Sequence, residues 1–211
     1  MEYWTEYTRF FTALFVILDP FAAVPIFLVL TKNYTAAERG RIANVASLTV
    51  LVALVIAALT GEALLRGMGT SLASFRVGGG IVLLLMALAM LRAQTDMVRT
   101  SPAEEAEAVD KRTIAVVPLA IPLLAGPGSI STVIIQMHRM DAEYHSLLVI
   151  LVIALVCLFL WVVLRLAVTI GRMLGHIGLN IINRLFGLIL AAIAVEIMAN
   201  GLKQLFPVLA G

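Results

Sequence analysis

The sequence predicts an all-α integral membrane protein with six transmembrane helices arranged as two inverted three-helix repeats. Three observations carry that prediction. Uncharged apolar blocks recur at about 20 residues, the length a helix needs to cross a bilayer; residues 42–61 and 146–164 are two of them. Hydrophobic residues make up 62% of the 211-residue chain and charged residues only 13%, against about a quarter charged in soluble domains. A water-soluble globule of this size has too little interior to hide so much apolar surface. Finally, helix-breaking and glycine landmarks recur at nearly one spacing: Pro20 and Pro127 stand 107 positions apart, Gly79 and Gly187 108 apart. These features exclude a soluble enzyme, a nucleic-acid module and a disordered chain. Period-2 alternation is absent, which excludes a transmembrane barrel.

Taken in order, the first span covers 9–31 and is interrupted by Asp19-Pro20; the second is 42–61. The third, 72–91, holds Arg76 near its start. The fourth, 113–137, is uncharged but contains Pro118, Pro122 and Pro127. The fifth is 146–164, and the sixth, 182–203, carries Arg184 and Glu196. Residues 92–112 are polar and acidic, with the composition of a solvated cytoplasmic linker. The chain reads as one transmembrane domain, 1–211, with repeat 1 over about 1–95 and repeat 2 over about 113–211. Its start, Met1 to Glu6, is acidic and aromatic, whereas a signal peptide opens with positive charge. Cys157 is a lone cysteine in an apolar run, so no disulfide framework or cysteine-based metal site is expected.

Loop charge orients the spans. Ten Lys and Arg residues follow the first, third and fifth spans, and five lie toward the other side. The richer side is expected to be cytoplasmic, placing both termini outside the cell membrane, a bacterial inner membrane.

Three spans per half is an odd number, so the halves must run through the membrane in opposite senses. Corresponding broken helices in inverted repeats point to a transport site near the bilayer midplane. Proline suits the first position of a helix, because its missing N–H is one of the groups left free there. Asp19-Pro20 and Gly126-Pro127 therefore read as starts of second half-helices. Asp19 lies about 15 Å along the span from Arg9, and Gly126 about 20 Å from Thr113. Each half-helix presents free N–H groups and a positive dipole end, which suit a carboxylate. Ser129, Ser131 and Thr132 either add hydroxyl donors there or bond back to their own helix carbonyls.

Two stretches carry a family resemblance. Asp19-Pro20-Phe21-Ala22-Ala23-Val24-Pro25-Ile26-Phe27-Leu28 resembles the DPFGNIPIF motif of the MarC family, and Pro122 through Thr132, PLLAGPGSIST, resembles its PLLAGPGAIST motif. Phe75 to Ile81 and Arg184 to Val195 complete a match that spans essentially the whole chain. The resemblance implies a six-span membrane protein related to the LysE exporter superfamily. Members of the SnatA type are assigned as small neutral amino-acid transporters. Ala22-Ala23 stands where the family usually has Gly-Asn, which removes an amide from the region and leaves substrate preference open.

Charges within spans are functional candidates by default. Asp19 either caps the Pro20 half-helix or binds a coupling cation or proton. Arg76 and Glu196 lie at similar depth, so they either form an ion pair or, respectively, snorkel to the surface and face a wet cavity. Asn44, Ser47 and Thr49 are placed toward the interior; Asn180, Asn183 and Asn200 at the interface. His138, His145 and His176 match no zinc spacing and read as ordinary solvated histidines. The triple glycine Gly78-Gly79-Gly80 fits close helix packing.

The expected function is secondary transport, uptake or export, of small neutral amino acids such as alanine, glycine or serine. The expected site consists of Asp19, Pro20, Phe21, Gly126, Pro127, Gly128, Ser129, Ser131 and Thr132 around a central cavity. An exporter or channel for another small metabolite or a metal ion is the alternative. An intramembrane enzyme is third, because its usual signatures are absent. No cofactor, metal or nucleic-acid partner is expected; the partners are the substrate and the lipid bilayer, with homo-oligomerisation left open.

Overall fold

A computed structural model of the chain describes residues 2–92, 124–139 and 144–210. Among them the protein is helical without a strand: α1 (Glu2–Leu18), α2 (Pro20–Leu30), α3 (Ala36–Gly67), α4 (Leu72–Leu91), α5 (Pro127–Met137), α6 (His145–Arg165), α7 (Ala167–Leu205) and a short 3-10 turn, Pro207–Ala210. Five stretches are long and apolar enough to cross a membrane: Thr5–Leu30, Ala36–Gly67, Leu72–Leu91, His145–Arg165 and Ile177–Leu205. Of the expected fourth span, α5 supplies 11 residues, about 16 Å of helix and too short to cross alone. Residues 113–123, with Pro118 and Pro122, and the expected linker beyond Arg92 lie outside the described residues.

These helices are apolar on all sides, as lipid-embedded helices are. On α6, Val149, Ile153, Val156 and Leu160 are buried, while Leu147, Leu151, Leu155 and Leu158 are exposed. The same holds on α3, where Leu54 and Ala58 face in and Val52, Ile56 and Leu59 face out. Outward apolar faces of this extent have no place in water; they are the surface a bilayer covers.

Two elements differ from the sequence reading in length. α3 extends well beyond 42–61, because Thr35 and Glu38 form a reciprocal capping box that starts the helix in polar sequence. The connector before the sixth span is itself helical: α7 begins at Ala167 and breaks at Gly175, whose backbone is left-handed in φ (58°). Its first segment turns Ala167, Ile170, Gly171 and Leu174 inward, with Gly171 close against Leu28 and Val24 of α2.

The tightest seam joins α4 and α7, which cross antiparallel. A Cβ on Gly80 would stand 3.0 Å from the Ala194 carbonyl, and one on Gly187 would stand 3.1 Å from the Ala87 carbonyl. Gly201 meets the Ala73 carbonyl in the same way, at 2.9 Å. Small residues let two backbones approach this closely, gaining dispersion contacts that lipid cannot match. Two of the three consecutive glycines thus serve packing, Gly79 against Ser131 and Gly80 against Met198, whereas Gly78 has open space where a Cβ would stand. Further seams join α3 to α6, α2 to α6 and α7, and α5 to α3 and α4.

Candidate functional site

The first helix breaks where the sequence places the break. Asp19 takes a left-handed backbone (φ 43°, ψ 70°), and its side chain accepts a hydrogen bond from the Ala22 N–H at 3.2 Å. It is the one non-glycine residue with positive φ among the described residues. Such a conformation is tolerated by Asp because its short polar side chain bonds locally. Asp19 is fully buried, so its carboxylate acts here as the cap of α2. Phe21 stands beside the break in a triangle of rings with Phe15 and Phe186, centroids 5.9–6.4 Å apart.

The second break is built differently. Gly126 is extended (φ −78°, ψ 178°), Pro127 opens α5, and among the described residues no side chain caps the helix. The Ser129 hydroxyl donates back across the break to the Leu124 carbonyl at 2.9 Å, and Thr132 donates to the Gly128 carbonyl at 2.9 Å. Both hydroxyl protons are therefore spent within the chain, and their free lone pairs are acceptors. Ser131 is buried against the Gly79 backbone. Gly128 is walled by Leu83, Met86 and Ile17.

A cavity of about 530 Å³ lies between α1, α5 and α7. Each wall contributes a polar pair one helical turn apart: Thr8 and Thr12, Thr132 and Gln136, Glu196 and Asn200. Arg9 and Arg139 add positive charge, Arg139 lying 3.3 Å from the Glu6 carboxylate. A smaller space of about 360 Å³, lined by Arg76, Lys203 and Gln204, adjoins it through Ile135, Arg139, Ile197 and Asn200. Among the expected site residues, Thr132 lines the main cavity; Asp19, Pro20, Phe21, Gly126, Pro127, Gly128, Ser129 and Ser131 do not. The cavity lies to one side of both breaks. Ala13, its innermost α1 residue, precedes Asp19 by about 9 Å of helix, and Thr132 follows Pro127 by about 8 Å.

Several polar residues stand elsewhere than expected. Arg76 and Glu196 do not form an ion pair. Ala194, Met198 and Gly201 form the α7 face toward α4, and Glu196, two positions from both Ala194 and Met198, turns to the opposite side of the helix. Arg76 sits one turn farther along the seam, its Cβ beside Gly201. His145 is buried, not solvated: the Tyr7 hydroxyl lies 2.8 Å from its Nδ1, and its Nε2 lies 2.7 Å from the Gln136 carbonyl. The carbonyl can only accept, so Nε2 carries the proton that meets it. His138 lies 2.8 Å from Glu62. Asn44 accepts from the Trp161 indole at 2.7 Å on the α3–α6 seam, and Asn183 is buried.

Sequence reasoning missed Thr8, Thr12, Gln136 and the cavity role of Asn200. The missed signal was spacing: each pair lies four apart on its helix, a polar stripe through an otherwise apolar span.

The comparisons with known proteins agree with this architecture. The chain matches the model of the MarC family integral membrane proteins over residues 4–206. It is similar to the UPF0056 membrane protein YhcE of Escherichia coli (strain K12), 36% identical over 205 residues covering 95% of this chain and 94% of that protein. The UPF0056 membrane protein MJ1677 of Methanocaldococcus jannaschii is 40% identical over 194 residues, covering 92% and 94% respectively. A UPF0056 membrane protein of Aquifex aeolicus is 35% identical over 204 residues, 97% of this chain and 95% of that one. No solved structure matches. With a helical bundle sheathed in apolar surface and a family match over nearly its whole length, the chain belongs to the MarC family of integral membrane proteins.

Proposed function

We propose that this protein is a secondary transporter of small neutral amino acids, working by alternating access between two inverted repeats. The observation that carries the reading is the polar cavity between α1, α5 and α7, which approaches the two helix breaks from one side. Polar and charged side chains within a membrane span are costly unless they line a path for a polar solute. A volume of about 530 Å³ suits a small metabolite with some water. The uncapped N-terminus of α5 receives the substrate carboxylate at the end of that path, because its N–H groups and dipole favour an anion there. By the distribution of loop charge, the cavity faces the outside, and both termini lie there.

Internal symmetry supports the repeat. Exchanging α2 with α5, α3 with α6 and α4 with α7 maps six of the packed seams onto one another: α4–α7 and α3–α6 onto themselves, α2–α7 onto α4–α5, and α2–α6 onto α3–α5. At residue level, Gly80 against Ala194 becomes Gly187 against Ala87, each 107 positions on or back, the spacing that separates Pro20 from Pro127. An inverted repeat gives two arrangements of the same bundle about a fixed site, which alternating access requires.

The test is exchange of radiolabelled alanine, glycine and serine in vesicles reconstituted with the purified protein. Saturable exchange of at least one, absent from protein-free vesicles, is the expected result. No exchange of any of them, with uptake of a divalent metal instead, would transfer the protein to the ion-handling alternative.

A further inference from the structure

The side-chain amide of Gln136 has no role in holding the fold. It is 95% buried on α5 and lines the main cavity, yet its Nε2 makes no hydrogen bond among the described residues. An unsatisfied buried donor is a standing cost, and the neighbouring Ile134 and Ile135 show that this end of α5 accommodates apolar side chains. Its backbone, by contrast, is firmly held. The Gln136 carbonyl accepts from His145 Nε2 at 2.7 Å, and His145 is itself engaged by Tyr7 of α1. The amide is therefore a donor carried on a fixed support in the wall of a space large enough for a solute; its Nε2 is sealed in this arrangement, and a turn about the last side-chain torsion, which breaks no hydrogen bond, presents it to the cavity. Across the same cavity stands Glu196, a carboxylate that makes no ion pair among the described residues. Arg9 adds a positive charge to the wall.

We propose that Gln136 and Glu196 form a receiving station for a zwitterion on the access side of the breaks: the Gln136 amide donates to the substrate carboxylate, and Glu196 takes the ammonium group. This assignment rests on the transport reading above and adds to it the residues that select for both charges of the solute. An amide donor is well suited to such a station. It holds a carboxylate by a hydrogen bond without the deep Coulomb well of a buried arginine, so the solute is recognised and still released inward. The Glu196 carboxylate discriminates against simple carboxylic acids, which repel it.

The test uses the full chain in detergent micelles, with calorimetric binding of three probes: alanine, alaninamide, which lacks the carboxylate, and propionate, which lacks the ammonium. Heat denaturation of each variant runs alongside, and alanine exchange in vesicles is the separate check on transport. Gln136→Met should lower alanine affinity at least tenfold while melting at or above the parental temperature, because the lost donor made no bond within the protein. Gln136→Glu should weaken alanine at least tenfold and leave alaninamide equal or stronger. Glu196→Gln should weaken alanine and strengthen propionate. If both Gln136 variants bind alanine within twofold of the parent while the parent exchanges alanine, the station is overturned and the transport reading stands. If the parent neither binds nor exchanges any amino acid, both fall together.

Discussion

At Asp19-Pro20 a carboxylate supplied by the chain closes the N-terminus of α2, whereas at Gly126-Pro127 no side chain closes the N-terminus of α5. Both breaks use a proline at the first helical position. The difference lies in the residue before it. Asp19 adopts a left-handed conformation, turns its oxygen to the Ala22 N–H and is sealed from solvent. Gly126 has no side chain to offer, and among the described residues no side chain caps the N-terminus of α5. One break is closed by a side chain of its own; on the proposed reading the other is closed by the bound substrate. On the transport reading proposed above, this asymmetry assigns the first break to holding structure and the second to holding substrate.

The strongest way to break this comparison is to fill the α5 terminus. A Cβ on Gly128 would stand 2.7 Å from a Leu83 methyl carbon and 3.1 Å from the Met86 sulfur. Both are flexible side-chain ends, so Gly128→Ala should be absorbed with little change in melting. Gly128→Leu adds three further carbons, with an overpacking cost of about 1–3 kcal/mol, and should abolish alanine exchange in vesicles. Parental exchange by a folded Leu variant would remove α5 from the path. Second in size is Gly126→Asp, which gives the second break the cap of the first. Its extended backbone suits an N-cap, and the new carboxylate should stabilise the helix by about 0.5 kcal/mol. Alanine exchange should fall at least tenfold, since the protein's own carboxylate then occupies the donors. A variant that gains stability and exchanges normally would show that the substrate carboxylate binds elsewhere.

A third test addresses the halves as packing partners. Gly80→Ala and Gly187→Ala each push a Cβ against a carbonyl of the opposite helix, at 3.0 and 3.1 Å. Both should destabilise by about 1–3 kcal/mol, and by similar amounts if the seam is symmetric. Gly80→Ala has the harder contact, since its Cβ also runs into Met198 Cγ, so it should be the worse of the two. A large cost at one glycine and none at the other would break the residue-level symmetry.

Much of this architecture was legible before any coordinates. Proline after Asp or Gly within an apolar run fixes a helix break by local chemistry alone, so both breaks could be placed to the residue. Apolar run length likewise marks five of the six expected spans, because the bilayer sets the length; most of the proline-rich fourth lies outside the described residues. The cavity was not legible in the same way. It depends on which faces of α1, α5 and α7 meet, and Glu196 illustrates the difficulty. Counting along the sequence sets it at the depth of Arg76, but in the bundle Arg76 lies one turn farther along the seam, and the angular position of Glu196, two residues from Ala194, turns it away. His145 was misjudged for a related reason: a connector residue next to a helix start is buried only if two other helices arrive over it, as α1 and α5 do through Tyr7 and Gln136.

The smallest expected effect belongs to Asp19→Asn, and its smallness is what makes it informative. Asparagine retains a side-chain oxygen to accept from the Ala22 N–H, and it tolerates a left-handed backbone as aspartate does. If Asp19 is a cap, the Asn variant should melt within about 0.5 kcal/mol of the parent and exchange alanine within about twofold. Asp19→Ala sets the scale for losing the cap. It forfeits about 1 kcal/mol of capping and takes on about 1–2 kcal/mol for a left-handed alanine, so it should melt well below Asn. Asp19→Gly, free of the backbone strain, should fall between them. The ordering Asn, Gly, Ala in stability identifies a cap through its geometry, and no coupling role predicts it. Were Asp19→Asn to melt like the parent and lose exchange tenfold, the negative charge itself would be at work in transport. The first break would then no longer be complete in itself, and the division of labour between the halves would fail.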